Sequence, residues 1–301
     1  MAPQSDWGGR QVLANQEEHL PLVAGEPVEV LAGIWRLLAP NPSMMTGPGT
    51  NTYLIGTEDL IVIDPGPDDE VHLARIAELA QGRIRYVVIT HSHRDHAPGA
   101  APLARAVGAT LLGFDDRPGF VPDGRVGEGD VLVTDRWRLT AMHTPGHSSD
   151  HLCFVADAAT DGSPRVVFSG DHIMEGSTVV IGPLDGDMTQ YFDSLHRLRD
   201  LAPPCEFIAP GHGHLIANPQ EVIDFYLKLR LEREESIFEA LLSGPKRVSE
   251  LIPLFYDHLP ERLQRHGGRS IWAHLRKLND EGRVVTPDRD EPESLWAVPR
   301  S

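Results

Sequence analysis

Three histidines and one aspartate lie within a stretch of six residues that has the pattern H-x-H-x-D-H. They are His91, His93, Asp95 and His96, and they directly follow an apolar run that ends at Thr90. Imidazole and carboxylate groups brought together on one turn are ligands for Zn²⁺, Fe or Mn²⁺, whereas Ca²⁺ takes oxygen ligands. The spacing therefore predicts a transition-metal site at the end of a strand.

Three further motifs place a histidine or an aspartate directly after glycine, shortly beyond an apolar run. These residues are His147, Asp171 and His212. Loops at one edge of a layered domain gather on one rim, where ligands and catalytic groups collect. A single motif of this kind is typical of an ordinary turn, but four of them in one stretch of chain predict a shared site.

The elements that must position these residues are short apolar runs closed by glycine or proline, which is the pattern of strands. The runs cover residues 60–63, 84–90, 137–142, 165–168 and 206–209. Segments with the period of a helix lie between them, at 71–80, 100–107 and 188–201. Strands mixed with helices in this way predict a layered α/β or α+β domain whose helices cover the sheets.

The pattern changes after about residue 218. A long helical pattern at 221–242 is followed by a second helix start at 247–252, a third helix at 269–278 and two short strands at 283–285 and 295–298. Three helices and then a β-hairpin are the order of a winged helix-turn-helix. We therefore expect a first domain over residues 1–217, which carries all the motifs, and a linker helix with a winged-helix-like domain over residues 218–301.

Composition limits the class of protein. The chain of 301 residues carries a formal net charge of −17, which argues mildly against a nucleic-acid binder because such proteins are usually basic. Two cysteines, Cys153 and Cys205, are too few for a disulfide framework and indicate a reducing compartment. The sequence shows no leader pattern and no apolar run near the ~20 residues that span a bilayer, so we expect a cytoplasmic protein without a membrane partner.

The motifs and their order resemble the metallo-β-lactamase-fold superfamily over about residues 20 to 215. The resemblance implies an α+β fold, a four-layer αββα sandwich, with a catalytic site for two metal ions. It also implies that Asp64, which follows the run 60–63, is a buried aspartate that orients a ligand. By the family's pattern each ion has three ligands of its own and one aspartate bridges both: His91, His93 and His147 for the first ion, Asp95, His96 and His212 for the second, and Asp171 as the bridge.

The same resemblance implies the chemistry. Two divalent ions, with Zn²⁺ favoured and Mn²⁺ or Fe as alternatives, would hold a bridging hydroxide that attacks a carbonyl or phosphoryl group. Asp95 would steer that hydroxide and accept its proton, and the positive centre would favour an anionic substrate. True β-lactamases of this fold characteristically carry cysteine at the bridging position, where this chain has Asp171. Antibiotic hydrolysis is therefore not expected as the main activity.

A metallo-β-lactamase domain followed by a winged helix is similar to the β-lactamase-like protein 2 group, and the stretches 51–56 and 185–188 also look like that group's local patterns. The group includes an RNA endonuclease. Residues 246–283 carry eight Lys or Arg against five Asp or Glu, which is a small excess, and no series of aromatic residues suggests stacking on single-stranded bases.

Three functions follow in order of preference. The first is a dinuclear metal-dependent hydrolase of a small anionic ester, thioester or lactone. The second is a metal-dependent endoribonuclease that cleaves single-stranded RNA. The third is a winged-helix regulator whose first domain is a metal-binding sensor. A small molecule is the expected partner, RNA is the alternative partner, and we also expect that the C-terminal part can form a homodimer.

Overall fold

The computed structural model describes residues 22–159, 162–176 and 178–299. The start of the first predicted domain, the last two residues of the second and the two shorter gaps lie outside the described residues. The described chain forms two compact units. The first contains the chain up to Thr144 together with Asp150–Thr178 and Leu201–Gln220, and the second contains Pro145–Ser149, Val179–Asp200 and the chain from Glu221 onward.

The strands of the described residues all belong to the first unit. They are β1 (Pro27–Leu31), β2 (Ile34–Leu38), β3 (Asn51–Ile55), β4 (Leu60–Ile63), β5 (Ile84–Val88), β6 (Thr110–Gly113), β7 (Gly124–Arg125), β8 (Val131–Val133), β9 (Trp137–His143), β10 (Leu152–Ala158), β11 (Val166–Gly170), β12 (Phe207–Pro210) and β13 (Ile216–Ala217).

The helices of the described residues are divided between the units. They are α1 (Glu70–Ala80), α2 (Ala100–Val107), α3 (Met188–Arg199), α4 (Pro219–Leu242), α5 (Val248–Tyr256) and α6 (Glu261–Asp280). The first unit contains α1 and α2, and the second contains α3, α5, α6 and nearly all of α4.

Two mixed sheets make up the first unit. One runs in the order β1 to β7, antiparallel up to β4 and parallel from β4 to β7. The other runs in the order β13-β12-β11-β10-β9-β8, in which only β11 and β12 are parallel. The parallel pairs matter for function, because strands that run the same way deliver the loops at their carboxyl ends to the same edge of a sheet.

The main core of the first unit lies between these sheets. Ile61 and Ile63 of β4 belong to the same buried cluster as Phe154 and Phe168 of the opposite sheet. The ring of Phe168 also meets that of Tyr53 edge-on, at 5.1 Å between centroids. Alternate residues of a strand point to opposite faces, so the other face of the first sheet needs its own cover.

Helices α1 and α2 supply that cover. Val62, on the opposite face of β4, belongs to a second buried cluster with Leu73 and Ile76 of α1 and Leu103 of α2. Every residue of β4 is therefore buried, which explains why its sequence is a continuous apolar run rather than an alternating one.

The second unit has a core of its own. Ile237 of α4, Leu251 of α5, Ile271 and Leu275 of α6 and the C-terminal Trp296 are buried together. The predicted third helix begins eight residues earlier than expected, at Glu261, and passes through two glycines. A Cβ on Gly267 would lie 2.5 Å from the ring of Tyr256, so glycine is required there by the close approach of α5 and not as a helix end.

The predicted hairpin is shorter than expected. Of the two predicted strands, at 283–285 and 295–298, only the antiparallel bridge between Val285 and Ala297 forms, and Trp296 pairs instead with Lys246. Val285 and Leu295 are both more than two-fifths exposed. A longer ladder would therefore gain little stability from burying these side chains. Within the part of the chain that the structure describes, no helix is both long enough and apolar enough to cross a membrane.

Candidate metal centre

Asp64 and Thr90 form the base of the site, at the carboxyl ends of two parallel strands. Ile63 of β4 pairs with Val88 of β5, so the residues that follow emerge side by side. Thr90 donates to both oxygens of the Asp64 carboxylate, from its backbone nitrogen to Oδ1 and from its hydroxyl to Oδ2, each at 2.7 Å. Asp64 itself has a φ of 51°, a left-handed conformation that aspartate tolerates better than most residues.

His96 is oriented by Asp64. Its Nδ1 lies 2.8 Å from Asp64 Oδ2, and both side chains are almost completely buried. A carboxylate at this distance fixes the proton on Nδ1, so the lone pair of Nε2 is the one that faces the site and can bind a metal ion. The predicted position of Asp64 behind a ligand histidine agrees with this geometry, and its functional role stays a prediction.

The loop that carries His91, His93 and Asp95 is held by an aspartate that the sequence analysis missed. Asp150 is buried, and its Oδ2 accepts a hydrogen bond from the backbone nitrogen of Ser92 at 3.0 Å. The two residues are 58 positions apart, and nothing in the pattern around either one indicates the contact. The only available signal was an acidic residue three places after His147 in a polar stretch.

Asp171 and His212 arrive at the site from the second parallel pair. Gly170 at the end of β11 pairs with Pro210 at the end of β12, and the nitrogen of Gly211 donates to Gly170 O at 2.8 Å. A Cβ on Gly211 would lie 2.8 Å from Asp171 Oδ1 and 2.8 Å from His96 Cε1. Glycine is needed before His212 because the backbone passes this close to the donor atoms.

Asn51 of β3 ties the first sheet to the loop that carries His212. Its side-chain nitrogen donates to Pro210 O and Gly213 O, each at 2.9 Å, and its backbone nitrogen donates to Gly211 O at 2.8 Å. On the same loop, His212 Nδ1 lies 3.0 Å from Gly49 O. Residues from both sheets therefore set the position of His212, although they are far apart in sequence.

Four of the predicted ligands converge in the first unit. One ligand atom from each of Asp95, His96, Asp171 and His212 lies within 4.8 Å of all the others. Asp171 Oδ1 is 3.3 Å from both His96 Nε2 and His212 Nε2, and His212 Nε2 is also 3.3 Å from Asp95 Oδ2. This is a compact set of two imidazoles and two carboxylates.

The second oxygen of Asp171 faces a different pair of histidines. Asp171 Oδ2 lies 4.0 Å from His91 Nε2, and that nitrogen is 3.0 Å from His93 Nδ1. Burial, followed by the nearby His96 and His93, lowers the pKa of His91 well below its ordinary value, so its ring is neutral as a metal ligand must be. The two oxygens of the Asp171 carboxylate thus face two different groups of histidines.

The donor set fits a transition-metal ion. His96 and His212 each engage Nδ1 with an oxygen acceptor, Asp64 and Gly49 O respectively. Among the described residues, the buried Nε2 atoms of both rings have no hydrogen-bond partner. Buried nitrogens that point at carboxylates without hydrogen bonding are explained when their lone pairs bind a cation, and two histidines with two aspartates suit Zn²⁺, Mn²⁺ or Fe.

The charges at these donors are strongly coupled. Burial lowers the pKa of His96, but the carboxylates of Asp171 and Asp64 outweigh it and hold that pKa well above its usual range. The same competition between burial and Asp171 raises the pKa of His212 to about 9. Burial raises the pKa of Asp171, yet His212 and His96 bring it well below its ordinary value. A cation that binds here displaces protons from the two rings.

His147 belongs to the second unit and is also oriented through Nδ1. That nitrogen lies 3.0 Å from Val180 O, which fixes the tautomer in the same sense as in His96 and His212. The chain after Val180 turns back at Gly186, where an added Cβ would lie 2.9 Å from His147 O. That His147 joins His91 and His93 on one ion stays a prediction.

Comparison with known proteins decides the family. A family model described as the metallo-beta-lactamase superfamily matches residues 45–212, which is more than half of the chain. The chain belongs to the metallo-β-lactamase superfamily. A second model, described as the beta-lactamase associated winged helix domain, matches residues 248–296. The predicted α+β sandwich with a C-terminal winged helix is thereby confirmed, while the boundary predicted at residue 217 stays a prediction.

Relatives in this superfamily include named enzymes. The chain is 30% identical over 285 residues to a beta-lactamase-like protein 2 homolog of Drosophila melanogaster, across 86% of this chain and 92% of that protein. It is 29% identical over 293 residues to an atrochrysone carboxyl ACP thioesterase of Passalora fulva, across 91% and 83%. A beta-lactamase domain protein from Burkholderia ambifaria matches in structure with a TM-score of 0.75 at 22% identity, across 94% and 96%, which shows the shared fold.

These relationships confirm three of the predictions made from the sequence. The resemblance to the β-lactamase-like protein 2 group is confirmed, the protein is a hydrolase of the metallo-β-lactamase superfamily, and its His and Asp clusters form a candidate divalent-metal site.

Proposed function

We propose that this protein is a dinuclear metal-dependent hydrolase that cleaves a small anionic thioester or a related ester or lactone. The observation that carries the proposal is the placement of the Asp171 carboxylate. Its Oδ1 faces His96 and His212, while its Oδ2 faces His91. A carboxylate shared between two groups of histidines is suited to bridge two ions.

The residues that would hold the ions follow from this placement. His91, His93 and His147 would bind one ion and Asp95, His96 and His212 the other, with Asp171 between them. When bound, two divalent ions such as Zn²⁺ would polarise the scissile carbonyl and lower the pKa of water. Two divalent ions carry +4 and Asp95 with Asp171 carry −2, so the centre is positive and favours an anionic substrate although the whole chain carries −17.

Asp95 is the residue best placed to move a proton. About a quarter of its side chain is exposed, whereas Asp171 is more enclosed and His96 is fully buried. His212 and His96 hold the pKa of Asp95 below its ordinary value against the effect of burial, so it is ionised at neutral pH. An ionised carboxylate at the open side of the donor cluster can accept a proton from an attacking water and release it to solvent.

A thioester is the first substrate class to test, because a relative of similar length is named as an acyl-carrier-protein thioesterase. The experiment loads the purified protein with Zn²⁺ or Mn²⁺ and measures hydrolysis of a thioester, a lactone, a β-lactam and a labelled single-stranded RNA. We expect turnover of the thioester, and we expect Asp171→Ala to reduce kcat/KM more than about a hundredfold. Asp68→Ala, an exposed aspartate of the same unit, is the matched control.

If the metal-loaded protein hydrolyses neither the thioester nor the lactone but cleaves RNA, the endoribonuclease function would replace this proposal. That second candidate is supported by the match of residues 248–296 to a winged helix domain. We also propose a cytoplasmic location, since Cys153 and Cys205 are both buried and, among the described residues, neither forms a disulfide. Cell fractionation tests the location, and recovery in a secreted fraction would contradict it.

A further inference from the structure

Two backbone nitrogens on either side of His212 are held by β11 and by the loop that follows it. Gly211 N, one residue before His212, donates to Gly170 O at 2.8 Å. His214 N, two residues after it, donates to the carboxylate oxygen Oε2 of Glu175 at 2.6 Å. The first contact continues the pairing of β11 with β12. The second contact depends on a single side chain, and none of the sequence motifs indicates it.

Glu175 also packs closely against the turn beyond His212. A Cβ on Gly213 would lie 2.7 Å from both Cβ and Oε2 of Glu175, and Gly213 has a φ of 90°. Glycine is therefore needed here both for its backbone conformation and for the space that Glu175 occupies. Asn51 Nδ2 donates to Gly213 O at 2.9 Å. The turn is thus held by a strand of the first sheet and by the loop after β11 of the second.

The segment that joins Asp171 to Glu175 is short and tied to the end of β11. The two residues are four positions apart. Ser169 Oγ donates to Ile173 O at 2.7 Å, and both of these residues are completely buried. The hydrogen bond that Glu175 accepts from the backbone beyond His212 therefore fixes the position of His212 relative to Asp171.

The separation of Asp171 and His212 matters for metal binding. Asp171 Oδ1 lies 3.3 Å from His212 Nε2. An ion such as Zn²⁺ binds its nitrogen and oxygen ligands at about 2.0–2.2 Å, so two ligands of one ion must keep a definite separation. Removing a group that orients a ligand typically lowers metal affinity by about tenfold to a hundredfold.

We propose that Glu175 is a positioning residue of the metal centre, which holds His212 at the distance from Asp171 that one ion requires. The inference rests on the metal centre of the proposed function, but not on hydrolysis or on the substrate. The ion predicted at His212 depends on Glu175, whereas the other predicted ion has no ligand of its own on the loop after β12.

A purely structural effect of Glu175 must be separated from this role. The side chain of Arg36, on β2, is buried, and burial lowers the pKa of Arg36 against the opposing effects of Tyr53 and Glu175. Among the described residues, Arg36 Nη2 has no hydrogen-bond partner, so the attraction of Glu175 acts through space. The charge of Glu175 therefore stabilises the buried Arg36 whether or not a metal binds. This effect needs a carboxylate, whereas the contact with His214 N needs only an oxygen acceptor.

Glu175→Gln and Glu175→Ala separate the two effects. Glutamine keeps an oxygen that accepts from His214 N but loses the charge, and alanine loses both. Titration of the metal-free protein with Co²⁺, measured by calorimetry, gives the affinity for each ion, and the step that His212→Ala abolishes assigns the ion concerned. We expect Glu175→Ala to weaken that step at least about tenfold. Glu175→Gln should stay within about threefold of wild type. Equal weakening in both variants would show that only the charge matters and would overturn the positioning role.

Glu58→Ala is the matched control. Glu58 is an exposed glutamate of the same unit, at the end of β4 opposite to Asp64, so its loss changes the net charge equally but far from the donors. The control is expected to keep both affinities. An equal loss in Glu58→Ala, or wild-type affinities in Glu175→Ala, would overturn the inference while leaving the dinuclear centre intact.

Amide hydrogen exchange at His214, measured by NMR in the metal-free protein, gives a readout that needs neither metal nor substrate. We expect protection in wild type and Glu175→Gln, and exchange at least about tenfold faster in Glu175→Ala, because the amide loses its acceptor. If wild type binds no metal, the proposed function fails, and this difference would still support Glu175 as the residue that holds the His212 loop. Equal exchange in wild type and Glu175→Ala would overturn it.

Discussion

Asp64 Oδ2 lies 2.8 Å from His96 Nδ1, and the same carboxylate receives two hydrogen bonds from Thr90. One buried aspartate therefore fixes both the turn that leads into His91 and the ring orientation of His96. The charge of Asp64 also contributes to holding the pKa of His96 above its ordinary range. Asp64 therefore acts on the metal centre through Thr90 and His96.

Replacing Asp64 by asparagine should weaken metal binding without removing a ligand. An amide no longer fixes the proton on His96 Nδ1, so the ring loses its preferred tautomer, and we expect the affinity for one ion to fall by about tenfold to a hundredfold. Competition with a chelator measures this. Asp68→Asn, an exposed aspartate four residues away, is the control, and equal affinities for Asp64→Asn and wild type would refute the role assigned to Asp64.

Gly211→Ala should disturb the donor cluster directly. The added Cβ would lie 2.8 Å from both Asp171 Oδ1 and His96 Cε1, so one of these groups or the backbone must move. We expect lower metal content and a loss of about 1–3 kcal/mol in the free energy of unfolding. Gly127→Ala is the control, because nothing lies within 4 Å of its added Cβ. Normal metal content in Gly211→Ala would show that the cluster is looser than described.

Glu234→Gln should destabilise the second unit. Glu234 is buried, and its carboxylate contacts Lys277 Nζ at 2.8 Å and His274 Nδ1 at 3.2 Å. Removing one partner of a buried charge network typically costs about 3 kcal/mol. Urea denaturation measures the loss. In Glu232→Gln, which removes an exposed partner of Lys228, the loss should stay below about 0.5 kcal/mol. Similar losses in both variants would contradict the buried network.

The free energy of unfolding of the second unit should decrease as the pH is lowered from about 6.5 to about 4. Burial lowers the pKa of His274 to about 4, against the hydrogen bond that its Nδ1 donates to Glu234, and Arg230 and Lys277 also face this ring. The folded state keeps His274 neutral while the unfolded state binds a proton in this window, so the free energy of unfolding decreases as the pH falls. His274→Gln should flatten that decrease, and an unchanged slope in the variant would contradict it.

Much of the fold could be predicted because its signals are local. The strand runs at 60–63 and 165–168 end at glycine, proline or aspartate, and helix α2 has the bounds that its period predicts, Ala100–Val107. The start of α6 could not be predicted, because Gly267 resembles a helix end and only the packing of Tyr256 against it explains its place inside the helix.

The candidate site divides in the same way. Asp95, His96, Asp171 and His212 each follow a strand-like run, so their convergence could be inferred from the motifs and from the resemblance. The groups that hold these four residues in place could not be inferred from the sequence. Asp150 contacts Ser92 across 58 residues, and the acceptor for His212 is a backbone carbonyl 163 residues away, for which side-chain identity gives no signal.

The central claim is that Asp171 joins two groups of donors into one dinuclear centre. The most direct test is the metal content of the purified protein, of His93→Ala and of Asp171→Ala, measured by mass spectrometry after identical loading and desalting. We predict two ions per chain in the wild type and fewer in each variant, with the larger loss in Asp171→Ala because it contacts both groups. Unchanged metal content in both variants, or a wild type that retains no metal, would contradict the account.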